Sequence, residues 1–101
     1  MDYVLDVIGS QGTPFRVVYG NRVYPTGNQC PYPTVAFYDR RYPNHSSYGG
    51  QFVSEYHSET LLSWDHTRGL ALSGDDVEWT VDVRTMRLVI EWLASILNPD
   101  S

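Results

Sequence analysis

The clearest periodic pattern of apolar and polar positions lies between Asp82 and Asn98. Its apolar residues recur at steps of three and four, the spacing that places side chains along one side of a helix. They are Val83, Met86, Val89, Ile90, Leu93, Ile96 and Leu97. Asp82 can accept a backbone N–H of the first turn, and Asn98 precedes a proline, which disfavours helical backbone. Because a helix of about four turns is marginal alone in water, we expect its apolar side to be buried against a sheet.

Shorter stretches upstream have the patterns of strands. Residues 3–8 alternate in polarity, and residues 15–19 and 34–38 are rich in β-branched and aromatic side chains. A glycine and an asparagine after the second stretch indicate a tight turn, from which residues 22–24 return as a short strand. Residues 70–72 are predicted to form a further short strand.

The stretch 51–63 fits two patterns. Its alternate positions are mixed in polarity, which argues against a half-buried strand. Five side chains share one helical face: Phe52, Val53, Tyr56, Thr60 and Trp64. We therefore predict a helix here. The whole chain, residues 1–101, is then a single α+β domain, with a mostly antiparallel sheet of about four strands and two helices, 51–63 and 83–97, on one face.

Composition and charge limit the functional classes. The net charge of −5 argues against non-specific binding to nucleic acid backbones. No apolar run approaches the length of a membrane span, and the N-terminus does not have the pattern of a signal peptide. A single cysteine, Cys30, cannot form an internal disulfide, so we expect a cytoplasmic protein.

The bias among aromatic and basic residues points towards an interface. All seven basic residues are arginine, and eight tyrosines and three tryptophans occur in 101 residues. These residue types are enriched at buried interfaces, which predicts a homodimer. We expect at least one of Trp64, Trp79 and Trp92 to be partly exposed in the monomer and covered by the partner. Codon usage and core filling would explain the same bias without an interface.

Two irregular loops, 25–33 and 39–50, hold four of the six prolines and three of the eight glycines and are the expected location of a site. The favoured candidates cluster in and beside the second loop, with one histidine further along. They are Tyr38, Asp39, Arg40, Arg41, Tyr42, His45, Tyr48 and His57. Forked arginine donors beside aromatic faces could hold a carboxylate, a phosphate or a protein partner. The structural alternative is that Asp39 pairs with one arginine while the tyrosines pack the loop onto the sheet.

Known catalytic and metal-binding motifs are incomplete in this sequence. Gly49-Gly50-Gln51 resembles the glycine-glycine-glutamine loop of peptide-chain release factors, but Ser54 replaces the asparagine usual in that family. His57 and Glu59 have the spacing of half a zinc deaminase motif, whose two-cysteine half is absent. No histidine or cysteine pair has ligand spacing. We therefore predict no metal, no cofactor and no catalytic residue set.

Several short segments together resemble a group of small bacterial hypothetical proteins carried on mobile elements such as integron gene cassettes. The segments are 38–42, 50–54, 60–62, Trp79, Thr85-Met86 and Trp92-Leu93. The resemblance implies a bacterial, cytosolic, single-domain protein and supplies no catalytic residues.

The expected function is a small binding or interaction module with a small-molecule or protein partner. One alternative is a small hydrolase with a cleft between loops 25–33 and 39–50; its groups would be Asp39, Arg41, His45, Glu55 and His57. A second alternative is an acidic decoy that blocks a nucleic-acid-binding protein. That decoy would need the twelve carboxylates to form one continuous face.

Overall fold

The computed structural model describes residues 2–21, 26–29, 32–73 and 76–98. The predicted strand 22–24 and Cys30 lie outside the described residues, and the loop 25–33 is described only in part. No helix among the described residues is long and apolar enough to cross a membrane.

The main sheet has four antiparallel strands in the order of the chain, β1-β2-β3-β4. The strands are β1 (Tyr3–Ile8), β2 (Pro14–Gly20), β3 (Thr34–Asp39) and β4 (Gln51–His57). The first three confirm the strands predicted from sequence. β3 is buried along its whole length because β2 and β4 pair with its two edges. The sheet therefore has β1 and β4 at its edges.

The prediction of a helix over 51–63 was wrong for its first seven residues. Only Ser58–Leu62 is helical (α1), and the residues before it form β4. A helix at that position would leave one edge of β3 unpaired, and buried backbone N–H and C=O groups need partners. Pairing with β3 therefore overrides the local helical pattern.

Apart from a 3-10 turn at Pro43–His45 between β3 and β4, the remaining elements pack against the sheet from one side. The strands β5 (Leu70–Ala71) and β6 (Thr80–Val81) form a separate two-stranded sheet, so the predicted strand 70–72 does not join the main sheet. Residues Val77–Trp79 form a 3-10 turn. The long C-terminal helix is α2 (Val83–Leu97), as predicted.

The middle of the predicted apolar side of α2 is buried, whereas Leu97 at its end is 38% exposed. Met86, Val89 and Leu93 are at most 1% exposed and belong to one core with side chains of β2, β3 and α1. At the start of the helix, Asp82 Oδ2 accepts the backbone N–H of Thr85 at 3.4 Å. The α+β architecture predicted from the sequence is therefore correct, and both helices contribute to the core on one face of the sheet.

Candidate functional site

The face of the sheet opposite the helices holds a concavity of about 440 Å³. Because side chains alternate along a strand, Val18 on β2 and Ala36 and Tyr38 on β3 point to this open face. These three form a small cluster separate from the main core, with Tyr48 packed against them. The loop 40–50 folds over this face, and Phe52 of β4 and Asp2 complete the lining.

Arg16 of β2 anchors the loop to the sheet. Its Nη1 donates to the carbonyl oxygen of Tyr48 at 2.7 Å, and its Nε and Nη2 donate to the carboxylate of Asp6 at 2.8 and 2.9 Å. The hydrogen bond from Arg16 lowers the pKa of Asp6. Within the loop, the Ser46 hydroxyl accepts the backbone N–H of Tyr48 at 3.2 Å. Arg16, held by Asp6, and Ser46 thus fix the position of the Tyr48 main chain beside the concavity.

Three aromatic rings and one carboxylate dominate the concavity. The ring centroid of Tyr38 lies 5.1 Å from that of Tyr48 and 5.8 Å from that of Phe52. The Tyr48 hydroxyl donates to Asp2 Oδ2 at 2.7 Å. That hydrogen bond, with burial, raises the pKa of Tyr48 to about 12. Tyr48 therefore remains a neutral donor at physiological pH.

Two glycines let the loop return tightly to the sheet. Gly49 has φ of 80°, a conformation that favours glycine. A Cβ at Gly50 would lie 3.0 Å from both the Asp39 carbonyl oxygen and Tyr38 Cβ, so β4 could not start so close to β3. Gln51 is the first residue of β4 and pairs with Asp39. The positive φ of Gly49 and the close packing of Gly50 against β3 therefore account for the two glycines that resemble the release-factor loop.

The predicted cluster 38–42 is divided between the two faces of the sheet. Tyr38 points to the concavity, whereas Asp39 is fully buried beside Trp79. The Asp39 carboxylate accepts the guanidinium Nη2 of Arg41 at 2.6 Å, the Arg41 backbone N–H at 3.0 Å and the Trp79 indole N–H at 3.0 Å. Burial raises the pKa of Asp39, but these hydrogen bonds outweigh burial and lower it. The structural alternative weighed from the sequence, an Asp39–arginine pair, describes this part of the loop.

The other candidates of the loop lie on the surface. Arg40, Tyr42 and His45 are exposed. Arg40 Nη1 is 3.7 Å from Asp6 Oδ2, and the rings of Tyr42 and His45 meet edge to face at 5.8 Å. None of these three side chains lines the concavity. Of the eight predicted site residues, the concavity therefore brings together Tyr38 and Tyr48.

His57 lies at the other end of the sheet from Asp39. It pairs with Thr34, the first residue of β3, whereas Asp39 is the last. Five residue steps along a strand separate these positions by about 16 Å. His57 lines a different hollow of about 650 Å³ with Tyr32, whose ring centroid is 5.6 Å away. The residues proposed for a hydrolase therefore do not share one site.

Sequence reasoning missed Phe52, Val18 and Asp2 as site residues. Val18 and Phe52 follow from strand alternation and pairing once β4 is known to be a strand. Asp2 reaches Tyr48 across 46 residues of chain, and no sequence pattern signals that contact. The tryptophans follow the prediction in part, since Trp64, Trp79 and Trp92 are all only partly buried.

In the part of the chain that the structure describes, no group of three or more histidine, cysteine, aspartate or glutamate residues could hold a metal ion. The resemblance to gene-cassette proteins stays a prediction. Comparison of the chain with protein-family models, with curated proteins and with solved structures gave no match.

Proposed function

We propose that the protein is a non-enzymatic binding module that takes up a small molecule in the concavity on the open face of the sheet. The observation that carries the proposal is the concavity itself, about 440 Å³ in volume and lined by aromatic rings and small polar groups. Small-molecule sites are typically concave, with aromatic walls and a few polar groups that orient the ligand.

The scaffold supports this function because its walls are held in place without a ligand. Tyr38 is 6% exposed on the central strand β3 and is flanked by the rings of Tyr48 and Phe52. Arg16 fixes the main chain at Tyr48. Side chains that are already ordered lose little entropy on binding, which favours affinity.

Two other functions have less support. A hydrolase would need Asp39 and His57 in one cleft, but Asp39 is buried in an ion pair at the opposite end of β3. An acidic decoy would need its carboxylates free on one face. Asp6, Asp39 and Glu78 instead pair with arginines.

A fragment screen followed by two variants tests the proposal. We expect fragments that bind to shift the amide resonances of β2, β3 and loop 46–50 in two-dimensional NMR spectra. Phe52→Ala should weaken these fragments about tenfold, because a stacking ring is removed. Leu62→Ala is the matched control, since both side chains are 37% exposed but Leu62 lies outside the concavity. Shifts confined to other surfaces, or equal effects of both variants, would contradict the proposal.

The homodimer remains a prediction, and the edge strand β1 offers it a surface. Gly9 N donates to the Thr13 carbonyl oxygen at 3.0 Å, so these two residues form a hydrogen-bonded pair next to the β1–β2 ladder. Hydrogen-bonded pairs occur at every second residue of an antiparallel pair of strands, and the backbone groups of Val4, Asp6 and Ile8 therefore point away from β2. Val4 and Ile8 are 49% and 70% exposed. We propose that a second copy pairs antiparallel with this edge. Light scattering at micromolar concentration that detects only monomer would contradict this pairing.

A further inference from the structure

We propose that the ligand of the open-face concavity carries an organic cation, such as a substituted or quaternary ammonium group. This inference rests on the proposed function, because it names the chemical class that the same cavity would take. It follows from the charge of the described lining residues, from their aromatic rings and from the contacts of Arg16.

The lining is anionic. Among the described residues that line the concavity, Asp2 is the only one with a charged side chain. Its carboxylate accepts one hydrogen bond from Tyr48, and a carboxylate has room for several. The carboxylate of Asp2 gives a local field that attracts a cation and repels an anion.

The aromatic rings can add an attraction for a cation. The rings of Tyr48 and Phe52 flank that of Tyr38 at 5.1 and 5.8 Å, tilted by 42° and 65°. A cation within about 6 Å of a ring centroid is attracted by the negative face of the ring, and quaternary ammonium groups are commonly bound by several rings at once. The same rings would also contact a neutral apolar group, so their contribution must be separated from that of the charge.

Arg16, an arginine that the structure describes near the concavity, is already engaged by other groups of the protein. Arg16 lies on the same face, but its guanidinium is engaged by both oxygens of Asp6 and by the Tyr48 carbonyl oxygen. Arg16 therefore acts as a clamp that holds the loop to the sheet. An anionic ligand would find no uncommitted arginine among the described lining residues.

Choline and 3,3-dimethylbutan-1-ol test the inference, because the second compound is the neutral isostere of the first. Titrations of the full chain are followed by calorimetry and by NMR shifts of β2, β3 and loop 46–50. We expect choline to bind at least tenfold more tightly than the alcohol. Asp2→Asn should weaken choline severalfold and leave the alcohol unchanged. Glu91→Gln removes one charge from the exposed side of α2 and should alter neither.

The other outcomes separate the two proposals. Equal binding of choline and the alcohol in the concavity, or choline binding unaffected by Asp2→Asn, would overturn the cation inference and leave the binding module standing. If neither probe binds and the fragment screen also gives no shifts at the concavity, both proposals fail. Because Asp2 is exposed, loss of folding is not expected to confuse the result, and circular dichroism of each variant checks this point.

Discussion

Replacing Asp39 by alanine is expected to lower the free energy of unfolding by about 2–4 kcal/mol, because the change removes a buried carboxylate from the partly exposed Arg41 and from the Trp79 indole N–H. The Asp39 side chain is 0% exposed and receives donors from the Arg41 side chain, the Arg41 backbone and the Trp79 indole. Without the carboxylate, these donors lose their shared acceptor in a site where water cannot replace it fully. Urea denaturation followed by tryptophan fluorescence measures the change.

Asp6→Ala is the matched control for this prediction. Asp6 also binds an arginine through two hydrogen bonds, but its side chain is 41% exposed. Exposed ion pairs contribute roughly 0–1 kcal/mol, so the control should lose far less stability than Asp39→Ala. Equal losses in the two variants would show that burial does not set the strength of these pairs.

The pH dependence of stability gives a second readout of the same pair. The pKa of Asp39 is lowered in the folded state, so its contribution is present above the ordinary aspartate pKa of about 3.9 and is lost as the pH falls through the folded value. Asp39→Ala should therefore lose less stability than the wild type between pH 5 and pH 2. Asp82, whose folded pKa is also lowered, continues to contribute in both proteins.

The sequence predicts those elements of the fold whose patterns lie within the element itself. The α2 pattern extends over four turns with an Asp82 cap, and β1, β2 and β3 each have their own alternation or β-branched content. These signals lie within the elements themselves. The fold class and the burial of α2 could therefore be predicted correctly.

β4 was not predicted as a strand because a β-bulge disrupts its alternation of apolar and polar side chains. Phe37 pairs with Ser54 and Tyr38 pairs with Phe52, which leaves Val53 as an extra residue. The bulge shifts the phase of the strand, so Val53 and Tyr56, three residues apart, both pack against the main core. A three-residue spacing is also helical, and the sequence cannot distinguish the two causes without the partner strand.

The candidate site was predicted only in part for a related reason. Tyr38 and Asp39 were grouped because they are adjacent, yet adjacent strand residues point to opposite faces, so one reaches the concavity and the other an ion pair. That division was accessible from the strand assignment. The Asp2 contact with Tyr48 depends on the path of the whole loop 40–50 and on Arg16, which only the folded chain reveals.

The second large effect concerns α2, whose buried side is the main support of the sheet. Leu93→Ala should lower the free energy of unfolding by about 2–5 kcal/mol, because Leu93 is 0% exposed and its loss leaves a cavity. For a domain of this size, each kcal/mol shifts Tm by about 4–8 °C, so thermal unfolding detects the loss readily.

Leu88→Ala, on the same helix, replaces a leucine that is 51% exposed and should change the free energy of unfolding by less than about 0.5 kcal/mol. The two substitutions have the same effect on helix propensity, so their difference reports burial alone. A similar loss in both variants would mean that the side of α2 carrying Leu93 does not face the sheet in solution. The fold would then lack the support that positions the open-face concavity.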